Sequence, residues 1–171
     1  MRVLSEFHGT IGGLVARFDA TVGFIEGDGV PLFFNDPIEV PDPALRAVRL
    51  GCALREEMAA LTALWQKRGY DLDFGPGIAL GYATCGEVGF DGRSDYAAIG
   101  AVTNLASRLA DEATAGQILI SQRLYAEVED DVEVEPVGEF TLEGFQRPVP
   151  AFNVVAVRDK AELGLSRASG S

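Results

Sequence analysis

Helical and extended segments alternate along the whole chain, and this order constrains the fold more than any other feature. The first segment has apolar residues at the spacing of one helix face: Leu4, Phe7, Ile11, Leu14 and Phe18. Asp42 and Pro43 have the pattern of an N-cap and a first helical residue. The long helix that they start is expected to end near Gly69. Apolar residues that are expected to be buried lie along one side of it: Ala47, Leu54, Met58, Leu61 and Trp65. Each one-sided helix needs another apolar surface to pack against.

Short apolar strands fill the intervals between the helices. They are predicted at Ala20–Ile25, Val30–Phe34, Phe74–Thr84, Glu87–Phe90, Tyr96–Ile99, Gln117–Ile120, Val132–Phe140 and Ala151–Val157. Two further helices are predicted at Ala101–Asp111 and Gln122–Val128. This order predicts an α+β sandwich with helices on one side of a mostly antiparallel sheet. Residues 1–157 form one expected domain, and residues 158–171 form a flexible tail.

Charge and composition exclude several classes of protein. The formal net charge is −12, and nucleic-acid binding usually requires a basic face, so no DNA or RNA partner is expected. The sequence has no apolar run long enough for a bilayer, and the residues after Met1 lack a signal-peptide core. Cys52 and Cys85 are too few for a disulfide framework and are expected to be reduced and structural. These features predict a cytoplasmic chain that does not insert into a membrane.

Asp28 is the first candidate functional residue. It stands between Gly27 and Gly29 at the tip of a predicted hairpin. Gly-Asp-Gly is a common turn sequence, so turn formation alone explains it. The functional alternative is a ligand to Mg²⁺ or Mn²⁺, because magnesium sites typically combine one or two carboxylates with substrate phosphates.

Asn104 and Arg108 are the second candidate pair. Their i, i+4 spacing places them on one face of a predicted helix, away from most of its apolar residues. A solvated polar face explains this pattern without any function. Alternatively, the amide can hold a sugar by hydrogen bonds and the guanidinium can hold an anion.

Five glycines in the middle of the chain are a weaker signal. They are Gly75, Gly77, Gly81, Gly86 and Gly89. Glycine within strands marks bulges or close backbone approach, to a ligand or to another chain.

Four segments together resemble the catalytic domain of class III nucleotidyl cyclases. GIALGYATCGEVGFDGRSDYAAIGAVTNLASRL, from Gly77 to Leu109, resembles the signature core of that family. FIEGDGVPLFF resembles its metal-binding strand–turn–strand, and QILIS and LEGFQRPVPAFNV resemble its later landmarks. The resemblance runs in unbroken order from Leu4 to Val157 and implies a ferredoxin-like, cyclase-type sandwich.

The resemblance also implies a reaction and a set of site residues. The family converts ATP or GTP into a 3′,5′-cyclic monophosphate and pyrophosphate, using two Mg²⁺ or Mn²⁺ ions. Asp28 matches a metal-binding aspartate, Asn104 the residue that positions the ribose, and Arg108 the arginine that stabilises the α-phosphate in the transition state. The family works as a head-to-tail dimer, so a homodimer is expected, with Asp28 from one subunit and Asn104 and Arg108 from the other.

The chain also departs from the family pattern. The family's first strand, which carries the first metal aspartate, has no counterpart before Leu4. A truncated sequence, a misplaced start codon or a naturally degenerate domain would explain this, and half a metal site would impair activity. The sheet is then expected to close around the gap or to recruit a strand from another chain.

Substrate-binding positions depart as well. Phe24 and Ala97 occupy the base-selecting positions, and neither side chain can hydrogen-bond a purine edge. Phe24 could stack on any base. ATP is favoured over GTP only because most bacterial-type members make cyclic AMP. Glu143 stands where a phosphate-gripping lysine is common, and Arg147 is a possible replacement.

Two function classes follow from these residues. The first is an active cyclase, because Asp28, Asn104 and Arg108 are all present. The second is a catalytically inactive cyclase-homology module for dimerisation or regulation, favoured by the absent aspartate, Glu143, Phe24 and Ala97. A ferredoxin-like RNA-binding domain would share part of the topology, but the acidic charge and the missing basic-aromatic strand motifs argue against it.

Overall fold

Residues 2–25, 29–90 and 92–158 are described by the computed structural model, in which helices and strands alternate in the predicted order. The helices are α1 (Arg2–Phe18), α2 (Pro43–Lys67), α3 (Ala101–Glu112) and α4 (Gln122–Val128). The strands are β1 (Thr21–Val22), β2 (Leu32–Phe33), β3 (Gly77–Ile78), β4 (Thr84–Phe90), β5 (Arg93–Ile99), β6 (Leu119–Ser121), β7 (Val132–Phe140) and β8 (Val149–Val157). The predicted α+β class is confirmed.

The described strands form three separate ladders. The largest has the order β3-β6-β8-β7, in which β3 and β6 are parallel and the other pairs antiparallel. β1 pairs with β2, and β4 pairs with β5, both antiparallel. Within the described chain, β3 pairs with neither β1 nor β2, so the sheet does not close between them. Recruitment of a strand from another chain stays a prediction.

Apolar side chains of α2 and α4 cover one face of the four-stranded ladder. Val48, Ile118, Ile120 and Val154 are fully buried in this core. A Cβ atom at Gly51 would lie 3.2 Å from Ile78 and 3.3 Å from Ile118, so the missing side chain lets α2 lie close to the sheet. Burial of several complete aliphatic side chains is the main stabilising contribution here.

A second apolar cluster joins α1 to α2. Ile11 and Leu14 of α1 are buried against Leu54, Met58 and Trp65 of α2. The buried position of Trp65 confirms the prediction from helical spacing.

Polar contacts fix one end of this helix pair. The Trp65 Nε1–H donates to Glu6 Oε2 at 2.8 Å, and Arg68 Nη1 lies 3.2 Å from Glu6 Oε1. The Trp65 and Arg68 hydrogen bonds hold the pKa of Glu6 below its ordinary value.

The Phe74–Thr84 prediction is wrong over most of its length. β3 contains only Gly77–Ile78, and the next strand begins at Thr84. The glycines of this segment approach other chain segments closely: a Cβ atom at Gly75 would meet Ala113, and one at Gly81 would lie 3.0 Å from Val102. Close approach to the helix layer, rather than continuous strand pairing, therefore accounts for these glycines.

The prediction that Asp42 caps α2 is also wrong, although Pro43 was predicted correctly as the first helical residue. Pro43 is the first residue of α2, but Asp42 has φ 47° and its side chain makes no capping hydrogen bond. N-capping side chains act from an extended backbone, which this left-handed residue lacks. At the other end, Gly69 has φ 89° and its N–H donates to the Gln66 carbonyl at 3.0 Å, as expected of a helix terminator.

The remaining strand boundaries shift. The predicted Ala20–Ile25 and Val30–Phe34 strands are paired only at Thr21–Val22 and Leu32–Phe33, and β5 begins at Arg93 rather than Tyr96.

The helices and cysteines of the described ranges bear on the predictions about membranes and disulfides. No helix within residues 2–25, 29–90 and 92–158 combines the length and hydropathy needed to cross a bilayer. Cys52 and Cys85 are free and half-buried, and burial raises the pKa of both thiols, which disfavours the reactive thiolate.

Candidate active site

Helix α3 presents Asn104 and Arg108 at the surface. The helix follows β5 directly, and the Thr103 hydroxyl donates to the Gly100 carbonyl at 2.7 Å in its first turn. Leu109 is fully buried, which fixes the rotation of the helix. Asn104 is exposed and the Arg108 side chain is 38% exposed, so the predicted pair lies together on an accessible face.

Gly77 determines how closely α3 lies against β3. A Cβ atom there would overlap the Ala106 carbonyl oxygen and the Ala110 amide nitrogen, and would lie 2.9 Å from the Leu109 carbonyl carbon. Any side chain would therefore push the helix away. One of the glycines noted in the sequence thus positions the Asn104–Arg108 face.

Arg108 makes two ion pairs. Its Nη1 lies 3.6 Å from Asp111 Oδ2, and its Nη2 lies 3.4 Å from Glu143 Oε2. Buried neighbours explain the second pair, because Leu109 and Leu142 pack in one apolar cluster and bring the adjacent charged residues together. The Glu143 side chain is 82% exposed, so solvent weakens the attraction.

The pairing of Arg108 with Glu143 is not predicted from the sequence. The two residues are far apart along the chain, and the only available signal is that each stands next to a leucine that becomes buried. Glu143 lies in a turn in which Gly144 has φ 87° and the Phe145 N–H donates to the Leu142 carbonyl at 3.1 Å. This turn carries the carboxylate toward α3.

The two positions predicted to select the base, Phe24 and Ala97, also lie close together. The Phe24 N–H donates to the Tyr96 carbonyl at 3.0 Å, which places Phe24 beside the residue before Ala97. The Phe24 side chain is 52% exposed, and Ala97 is half-buried opposite Gly86. Within the described chain, no hydrogen bond or ion pair joins this pair to Asn104 or Arg108.

A metal site is not built by the described side chains. Residues 2–25, 29–90 and 92–158 contain no group of three or more His, Cys, Asp or Glu side chains that could hold an ion. Asp28, the predicted metal ligand, lies outside the described residues. The Mg²⁺ or Mn²⁺ site therefore stays a prediction.

The fold and the sequence both match known cyclases. The adenylyl cyclase CyaB from P. aeruginosa has a TM-score of 0.83 and 35% identity, over 92% of this chain and 82% of that chain. The guanylyl cyclase Cya2 has a TM-score of 0.85 and 28% identity, over 93% of this chain and 81% of that chain. The neighbours thus include cyclases of both base specificities.

A curated relative and a family model agree with these structures. Adenylate cyclase 1 of Rhizobium meliloti (strain 1021) is 29% identical over 158 residues, which are 91% of this chain and 24% of that protein. The chain thus spans about a quarter of that relative's length. Residues 10–155 match the model of the adenylate and guanylate cyclase catalytic domain. This chain belongs to the adenylate and guanylate cyclase catalytic domain family.

Proposed function

We propose that this chain forms the catalytic domain of an adenylate cyclase, which converts ATP into 3′,5′-cyclic AMP and pyrophosphate. The ribose 3′-oxygen attacks the α-phosphorus, the bond between that phosphorus and the bridging oxygen breaks, and pyrophosphate leaves. The 3′-hydroxyl proton is released in the same conversion. The observation that carries the proposal is the accessible Asn104–Arg108 face of α3 in a chain of the cyclase family.

The roles proposed for the two residues follow from their chemistry. The Arg108 guanidinium donates hydrogen bonds to the α-phosphate oxygens and stabilises the charge that they gain in the transition state. The Asn104 amide holds the ribose one helical turn away, which orients the 3′-oxygen for attack. Both residues are on one rigid helix, so their spacing is fixed before the substrate binds.

A divalent ion is a general requirement of the family and would stabilise charge on the triphosphate. Asp28 is the proposed ligand on this chain, as part of a site that would also need a second carboxylate.

Adenine is the proposed base. CyaB and adenylate cyclase 1, at 35% and 29% identity, are both adenylate cyclases. Phe24 supplies an exposed ring on which a purine can stack, and the Ala97 side chain offers no hydrogen-bonding group. Discrimination between ATP and GTP is therefore proposed to be modest and to come from packing.

The test is cyclic-nucleotide production by the purified chain with ATP or GTP and excess Mn²⁺. Arg108→Ala is expected to lower kcat about 100- to 1,000-fold, the usual cost of removing one transition-state donor. Ser107→Ala is the matched control, because Ser107 is exposed on the same helix. Equal rates in the two variants would contradict the assignment of Arg108.

A non-catalytic regulatory module is the second candidate, and the Arg108–Glu143 ion pair is the observation that favours it. A carboxylate beside the catalytic arginine competes with the triphosphate for the same guanidinium. In this case calorimetry would detect nucleotide binding or dimerisation, while no cyclic nucleotide would form even in a chain extended upstream. Formation of cyclic nucleotide by the extended chain would exclude this non-catalytic function.

A further inference from the structure

A depression of about 250 Å³ lies between the end of α1 and the start of α2. It is lined by Arg17, Phe18, Pro41, Asp42, Leu45, Arg46 and Arg49, and it includes none of the candidate active-site residues. Three of these residues are arginines, although the chain has 26 acidic and 14 basic residues. This concentration of positive charge opposes the charge of the molecule as a whole.

Arg46 connects the two walls of the depression. Its Nε donates to the Pro41 carbonyl at 3.3 Å, and its Nη1 lies 3.4 Å from both the Phe18 carbonyl and Asp19 Oδ2. These contacts hold the Arg46 side chain, which is 25% exposed, between α1 and α2. Asp19 partly neutralises its charge, so Arg46 chiefly gives the depression its shape.

Arg17 and Arg49 supply the available charge. Both are exposed, and within the described part of the chain neither guanidinium has a carboxylate within 4.0 Å. The Arg17 guanidinium lies 5.0 Å from the centroid of the Phe18 ring, a contact that favours one position of a flexible side chain. Asp42 is the one acidic residue in this lining, so the two available guanidinium groups exceed the negative charge beside them.

We propose that this depression binds the phosphoryl group of a small ligand. A planar guanidinium offers paired N–H donors that match phosphate oxygens. A phosphoryl group offers three acceptor oxygens and a charge of about −1.5 to −2 to two guanidinium groups, whereas a carboxylate offers two oxygens and a single charge. The volume is below that of pockets for drug-sized ligands, which start at about 300 Å³, so the depression suits a compact phosphate ester or free phosphate.

The test is calorimetric titration of the chain with inorganic phosphate, and separately with acetate, at constant ionic strength. Saturable phosphate binding is expected, with weaker binding of acetate. The Arg17→Gln/Arg49→Gln double variant should bind phosphate at least about tenfold more weakly, because both available guanidinium groups are removed. Both residues are exposed, so the fold should persist, and circular dichroism checks this.

Two controls separate this site from general charge effects and from the active site. Lys67→Gln/Arg123→Gln removes the same charge from exposed positions outside the depression and should leave phosphate affinity unchanged. Arg108→Ala should also retain it. The proposal is overturned by equal affinity in the Arg17/Arg49 variant, by loss of binding in Arg108→Ala, by acetate binding as tight as phosphate, or by no saturable binding.

Discussion

At the scale of single residues, Arg108 shows how neighbouring side chains can compete for a proposed catalytic group. Its guanidinium makes ion pairs with Asp111 and Glu143. A triphosphate must replace at least the Glu143 contact to use both N–H pairs. The partners are exposed, so the pair is worth only about 0–1 kcal/mol, and Glu143 should weaken substrate binding without abolishing it.

Replacing Glu143 by Gln should therefore strengthen nucleotide binding. KM for ATP is expected to fall about two- to fivefold with little change in kcat, since a competing carboxylate is removed from the ground state. Glu139→Gln is the control, because it removes the same charge from an exposed position on β7. Identical KM values for both variants would show that only net charge matters.

Glu6 leads to a prediction on pH. Because its folded-state pKa lies below the unfolded value, it adds stability at pH values above the unfolded pKa. This contribution is lost as the pH falls through the folded pKa. Urea unfolding, followed by the fluorescence of Trp65, the single tryptophan, should show Glu6→Gln to be less stable than the unmodified chain at neutral pH. The difference should vanish in acid.

Glu57→Gln is the matched control for this experiment, since Glu57 is exposed on α2. Its stability should follow that of the unmodified chain at every pH. A Glu6→Gln deficit that persists unchanged in acid would contradict an electrostatic origin.

At the scale of elements, helices were predictable where local pattern decides the structure, and strands less so. Helical spacing predicted the span of α1 and the buried side of α2, and Pro43 and Gly69 marked the helix ends correctly. The Phe74–Thr84 segment was not predictable, because its glycines serve close contacts with residues distant in sequence. The Arg108–Glu143 pair was not predictable either, because it depends on packing between Leu109 and Leu142, which are distant in sequence.

A substitution at Gly77 tests how closely α3 must pack against β3. Gly77→Ala should destabilise the chain by about 1–3 kcal/mol, because the new methyl group would overlap rigid backbone atoms of the helix. Gly86→Ala is the control, since a Cβ atom at this strand glycine has no atom within 4 Å. Denaturant unfolding measures both, and equal stability would show that α3 shifts freely.

The displacement of α3 should also appear in catalysis. If Gly77 positions Asn104 and Arg108, Gly77→Ala should reduce kcat under conditions in which the variant remains folded, and Gly86→Ala should not.

At the scale of the whole molecule, the proposed site needs two copies of the chain. Asp28 would come from one subunit, and Asn104 and Arg108 from the other. Two such sites in a head-to-tail pair make the subunits interdependent, so activity should fall on dilution as dimers dissociate.

Mixing two inactive variants tests this arrangement. Asp28→Ala and Arg108→Ala are each expected to be nearly inactive. An equal mixture should recover about a quarter of the unmodified rate, because half of the dimers are mixed and each has one intact site. Cyclic-nucleotide assays after mixing and re-equilibration measure this. Absence of recovery from two folded, dimerising variants would place both residues in a single subunit's site.

The position of β8 has a consequence for synthesis of the chain. β8 lies between β6 and β7, yet it is the last strand along the described sequence. The four-stranded ladder therefore cannot be completed until Val157 has left the ribosome, although α1 and α2 are made much earlier. The face of α2 that packs on this ladder, which includes Val48, therefore remains uncovered in the nascent chain until β8 is made. Chaperones bind exposed hydrophobic surface during this interval.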